Sequence, residues 1–213
     1  MKKILIYFPL IFLMVFASQF AGEWQIGKYF TPIILFLTLL IPGILFKEIS
    51  FDWFQLELFK EGCLKSLLQS ILASMVLLLA FHYTWLFANN LFESIPNLSI
   101  GSNFISRLTL IVALNILAGC VIEELIFRGF IQGEMAKKNE VSLFKILMFQ
   151  IFIPSVLFSI MHIFILGHMF WILIFPGMFF SCLKFRTKHI SGSIFAHLLF
   201  NLYYLSLISP KPF

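Results

Sequence analysis

An all-α fold, a polytopic membrane helix bundle of about seven transmembrane helices, is what this sequence predicts, and three observations predict it. Hydrophobic residues make up 61% of the 213 residues and charged residues 12%, against roughly 45–50% and about 25% in a soluble domain. A soluble fold of this length has no interior large enough to hide so much apolar surface. The apolar residues also fall into runs close to the roughly 20 residues that a helix needs to cross a bilayer. Finally, the basic residues sit in short clusters between those runs, the pattern of charges that hold loops on the cytoplasmic side.

The runs are, in order, about 4–21, 29–46, 66–87, 108–130, 146–166, 168–183 and 190–209. The first follows Lys2 and Lys3 and resembles a signal peptide. It stays bulky to about Ala21 with no small-x-small cleavage site, so a retained first helix is expected. The fifth and sixth runs are separated only near Gly167. With the N-terminus in the cytoplasm, 12 of the 15 Lys and Arg fall on the inner side, and only Lys28, Arg107 and Lys211 fall outside. That bias supports seven spans with a cytoplasmic N-terminus and an outer C-terminus. The whole chain, 1–213, reads as a single membrane domain.

Two further stretches mix charge with bulky apolar residues. Residues 47–62 and 137–149 read as amphipathic segments at the inner interface, or as cytoplasmic extensions of neighbouring helices. Residues 88–103 carry Asn, Ser, Pro and Gly and read as an exposed outer connection. Cys63, Cys120 and Cys182 are scattered and read as apolar fillers, with no disulfide framework or thiolate metal site. The net charge of +5 is accounted for by the topology signal, and no nucleic-acid partner is expected.

Of ten acidic residues, only Glu123 and Glu124 sit well inside a run. A charge near the bilayer centre costs about 2.5–3.5 kcal/mol on insertion scales, so such a residue is by default a functional-site hypothesis. Helix geometry separates the two, because successive residues turn by about 100°. Arg128 lies four residues after Glu124, within about 40° on one face, but about 140° from Glu123. Glu124 and Arg128 are therefore expected to form a structural ion pair, which leaves Glu123 free for chemistry.

His162 and His197 lie inside the fifth and seventh runs, and Asn201 follows His197 by four residues on the same helical face. Phe158 precedes His162 by four and is expected to pack beside the site. At about 1.5 Å per residue, Glu123 and His197 each lie roughly 10 Å inside the cytoplasmic boundary. His162 fits less well, at about 24 Å from residue 146, or about 16 Å if the fifth span begins near Ile151. Convergence therefore calls for a later start of the fifth helix. If the groups meet, Glu123 is suited to act as general base on a water that it shares with His162. His197 and Asn201 are suited to donate to an oxyanion. The same set, Glu123, His162 and His197, could instead hold Zn²⁺, but there is no H-E-x-x-H helix and no metal cofactor is favoured.

Three patterns occur in order, E-E-x-x-x-R (Glu123, Glu124, Arg128), F-x-x-x-H (Phe158, His162) and H-x-x-x-N (His197, Asn201), with Gly129 and Phe130 after the arginine. Together they resemble the signature of the CPBP intramembrane proteases. That family includes the type II CAAX prenyl endopeptidase, lysostaphin resistance protein A and bacterial homologues, some linked to bacteriocin immunity. The resemblance covers about 108–208 as a catalytic core and leaves 1–103 as variable N-terminal helices. It implies a glutamate-dependent endopeptidase, in a family long labelled as metalloproteases. The expected partners are the lipid bilayer and a membrane-anchored protein or peptide substrate. The expected location is a bacterial inner or plasma membrane.

Two other readings stand beside this one. A catalytically silent family member could act in bacteriocin immunity or as a scaffold. A small proton-coupled transporter could use the same ionisable groups, although no internal repeat supports it.

Overall fold

The computed structural model describes residues 8–9, 12–13, 63–91, 110–136, 142–163 and 167–207. The expected second span, the interfacial segment 47–62 and most of the first span lie outside the described residues. Among those described, secondary structure is helical throughout, with no strand. The all-α class therefore holds.

Among the described residues, five helices carry the fold. Helix α1 is Cys63–Leu91. Helix α2 covers 110–136 as an α-helical Leu110–Glu124, a π-helical Leu125–Ile131 and an α-helical Gln132–Ala136. Helix α3 runs through Leu143–Lys145, a π-helical Ile146–Phe152 and Ile153–Ile160. Helix α4 opens with a 3-10 stretch, Gly167–Leu173, and continues as Ile174–Thr187. Helix α5 is Ile190–Leu207.

Several ends differ from the expected ones. The helix at the fourth run continues six residues past 130, and α1 reaches Leu91 inside the expected outer connection. Residues 143–149, expected at the interface, belong to α3, which starts earlier than 146 rather than later. The physical reason is common to all of these. Apolarity marks where lipid ends, whereas the backbone hydrogen-bond ladder continues wherever φ and ψ stay helical.

Local chemistry explains the irregular segments. Pro154 cannot donate to the carbonyl one turn back, and its ring clashes there. The wide π turn of Ile146–Phe152 ends just before it, which makes room for a buried proline without breaking α3. Helix α4 stops at Lys188, whose φ of 62° is left-handed, an uncommon conformation for a residue other than glycine. Its N–H caps Lys184 O at 2.9 Å, and Thr187 Oγ1 donates to Leu183 O at 2.8 Å.

Burial is inverted relative to a soluble bundle. On α1, Leu64, Leu68, Leu72, Val76 and Leu79 are exposed, while Ser70 and Ser74 are fully buried. Ser155, Ser159, Ser181 and Ser193 are likewise buried in α3, α4 and α5. Large apolar residues outside and small ones between helices are what lipid as solvent selects. Among the described residues, two helices are long and apolar enough to cross a membrane, Leu143–Ile160 and Phe170–Thr187, with shorter apolar stretches at Leu67–Ala80 and Ile190–Leu205. Helix α2 carries Glu123, Glu124 and Arg128 near its middle.

Hydrogen bonds fix the relative directions of the helices. Arg128 Nη2 donates to Gly177 O at 2.9 Å, and Gln132 Nε2 donates to Ser181 O at 3.0 Å. Four residues forward on α2 match four forward on α4, so these two run the same way. Asn201 meets Cys120 and His197 meets Glu124. Four forward on α2 match four back on α5, so these two run oppositely. Alternation of this kind is what consecutive crossings of a membrane require. Close approach of α3 and α4 depends on Gly177, where a Cβ would lie 3.1 Å from Ser155 Cβ and 3.3 Å from Phe158 Cδ1.

Candidate active site

The site forms where α2, the end of α3, and α5 meet over an aromatic floor. Phe158 is almost fully buried at its centre. Its ring lies 5.4 Å from Phe127, 4.8 Å from His162, 5.5 Å from His197 and 6.3 Å from Phe180, centroid to centroid. The Arg128 guanidinium sits 4.6 Å above this ring and 5.3 Å above Phe180, a cation–π arrangement in a desolvated place.

Glu124 and Arg128 lie side by side on α2 and are both fully buried. Arg128 Nη1 donates to Glu124 Oε1 at 2.9 Å. The sequence reading gave Glu124 this one partner, but it has a second. His197 Nδ1 lies 2.9 Å from the same Oε1. An arginine-paired carboxylate is ionised and only accepts, so Nδ1 carries the proton and donates. His197 is further held by stacking on Phe180, at 5.0 Å and 21°. Its remaining nitrogen, Nε2, points at Glu123.

His162 is not inside a helix, as the sequence reading had it. It lies in the turn that follows α3, with its N–H on Ser159 O at 3.0 Å. The last four carbonyls of a helix have no partner within it. His162 Nδ1 lies 2.9 Å from one of these, Phe158 O. A carbonyl only accepts, so Nδ1 again is the donor, and Nε2 again is the free nitrogen.

Glu123 Oε2 lies 3.6 Å from His162 Nε2 and 3.8 Å from His197 Nε2. The carboxylate is one-quarter exposed, but Oε2 itself is buried and has no hydrogen-bond partner among the described residues. Three nitrogen and oxygen atoms thus converge without a direct hydrogen bond. With both imidazoles neutral, all three are acceptors, so only a donor between them can satisfy the group. Water, which donates twice, is the simplest such molecule.

Asn201 Nδ2 donates to Cys120 Sγ at 3.2 Å. The sequence reading treated Cys120 as a core or lipid-facing filler; it is fully buried, and it also touches Asn201. Gln132, also passed over, binds α4 one turn beyond Arg128. One signal could have found both. Cys120, Glu124, Arg128 and Gln132 recur every four residues, a polar stripe within an apolar run. Depth, a difficulty in the sequence, is relieved from the other side. It is α2 that extends, by about 9 Å at its C-terminal end, which sets Glu123 deeper; the early start of α3 works the other way.

No group of three or more His, Cys, Asp or Glu side chains among the described residues is arranged to hold a metal ion.

The described residues thus form a helical protein with inverted burial, in which one carboxylate faces two imidazoles. The family model of the type II CAAX prenyl endopeptidase Rce1-like proteins matches residues 105–203. The match covers just under half of the chain and agrees with the CPBP resemblance carried by its motifs. The match supports a membrane-embedded protease of the CAAX type. No curated protein and no solved structure gives a match.

Proposed function

We propose that this chain is an intramembrane endopeptidase that hydrolyses a peptide bond of a membrane-anchored protein or peptide, with Glu123 as general base. The observation that carries this reading is the aim of two Nε2 atoms, from the end of α3 and from α5, at the unpartnered Oε2 of Glu123. In the proposed reaction, a water held between Glu123 Oε2 and His162 Nε2 gives its proton to Glu123 as its oxygen attacks the scissile carbonyl. The carbonyl oxygen gains the negative charge and is met by an N–H of Asn201 and by His197 Nε2. His197 donates there as the imidazolium, its Nε2 having first taken a proton from bulk water, because Nδ1–H is already committed to Glu124. On collapse, the C–N bond breaks and Glu123 returns the proton to the leaving amine.

The family's name speaks of prenylated substrates, so a C-terminal prenylated segment is the proposed substrate class. A cytoplasmic N-terminus with seven spans is the proposed topology. It is supported by the charge count and by the alternating directions of α2, α4 and α5.

The test uses the full chain in lipid vesicles with a prenylated CAAX-type peptide and its unprenylated twin, followed by mass spectrometry. Wild type is expected to cleave the prenylated peptide, with chelators present or absent. Glu123→Ala is expected to abolish cleavage at unchanged abundance. Wild-type cleavage by Glu123→Ala would end the proposal, and loss of proton flux in place of cleavage would turn the reading to a transporter.

A further inference from the structure

We infer that Cys120 is a positioning residue for Asn201: its thiol sulfur accepts one amide N–H and thereby aims the second at the reacting carbonyl. The inference rests on the proposed endopeptidase reading and adds a residue to it.

Three observations carry it. The Asn201 Nδ2 to Cys120 Sγ contact, at 3.2 Å, joins a half-buried amide to a fully buried thiol. It is one of two matching contacts between α2 and α5. One turn along α2 from Cys120 is Glu124, and one turn back along α5 from Asn201 is His197, which donates to Glu124 at 2.9 Å. The antiparallel pair of helices is thus clamped at two successive turns, and each contact orients one of the two proposed oxyanion donors. Lastly, Cys120 lies three residues before Glu123, so base and amide anchor share one face of α2.

The chemistry suits the role. An amide has two N–H donors and free rotation about χ2. Without an anchor the Asn201 amide could present its oxygen to the oxyanion, which repels it. A thiol is a weak acceptor, so the contact sets the orientation yet draws little from the amide's capacity to donate elsewhere. The other free cysteine described in this region, Cys182, is exposed on α4 and serves as an internal control.

The experiment measures steady-state cleavage by the full chain in vesicles for Cys120→Ala, Cys120→Ser, Cys182→Ala, Asn201→Ala and the double variant Cys120→Ala/Asn201→Ala, with thermal unfolding alongside. Asn201→Ala is expected to lower kcat by about 10²-fold, as for other oxyanion donors. Cys120→Ala is expected to lower kcat about tenfold at unchanged KM. Serine, which still accepts, is expected to restore most of the loss, and Cys182→Ala to change nothing. In the Asn201→Ala background, Cys120→Ala is expected to have no further effect. A Cys120→Ala defect that persists in full in that background, or one that serine does not relieve, overturns the inference in favour of simple packing. If Asn201→Ala cleaves normally, the oxyanion assignment itself has failed, and if Glu123→Ala cleaves normally, the protease reading has.

Discussion

Glu124 is where stability and chemistry meet most tightly, and the two are separable by substitution. Its Oε1 accepts from Arg128 Nη1 and from His197 Nδ1, each at 2.9 Å, and neither Glu124 nor Arg128 has any exposed surface. Glu124→Ala strands the guanidinium in the core. Breaking a buried pair by removing one partner costs about 3–5 kcal/mol. For a chain of this size that lowers the thermal midpoint by about 6–20 °C. Replacing both partners by apolar residues of similar volume is, by contrast, often neutral or stabilising. In Glu124→Leu/Arg128→Met, a methionine can keep its sulfur near the rings of Phe158 and Phe180. The double variant is therefore expected to unfold within about 4 °C of wild type while cleavage stays lost, because His197 Nδ1 no longer has its acceptor. Thermal unfolding in detergent and peptide cleavage in vesicles read the two effects independently. A double variant as unstable as Glu124→Ala would refute the claim that the stranded charge is the source of the cost. A double variant that cleaves like wild type would refute the claim that Glu124 holds His197 for the reaction.

Two further expectations concern packing around the site. Gly177→Ala places a Cβ 3.1 Å from Ser155 Cβ and 3.2 Å from Ser155 Cα, so α3 and α4 must part. A loss of about 1–3 kcal/mol, seen as a lower unfolding midpoint, is expected together with reduced cleavage. Gln132 binds Ser181 O through Nε2, but its buried Oε1 has no partner among the described residues. Gln132→Leu keeps the volume and removes that orphan acceptor, so it should unfold no earlier than wild type, whereas Gln132→Ala leaves a cavity and should lose about 2 kcal/mol.

The helical class was legible because 61% apolar content in long runs leaves a chain few other ways to satisfy its backbone in lipid. The Glu124–Arg128 contact was legible for a similar local reason, since a spacing of four puts two side chains on one helical face. Helix ends were not. The π turns at Leu125–Ile131 and Ile146–Phe152 answer to packing and to Pro154, and hydropathy does not register them. His162 read as a mid-helix residue because Ile163 to Leu166 continue the apolar run, yet α3 ends at Ile160 and the imidazole caps it.

Everything set by neighbours along the chain, then, could be read from the sequence: the helical class, the ion pair and the three motifs in order. Whatever depends on residues distant in sequence was decided by the tertiary structure alone. His197 meets Glu124 across 73 residues, and Asn201 meets Cys120 across 81. Those contacts choose the imidazole tautomer, the direction of Nε2 and the partner of the amide. Helical periodicity fixes which residues share a face, but only the docking of one helix on another fixes which faces meet.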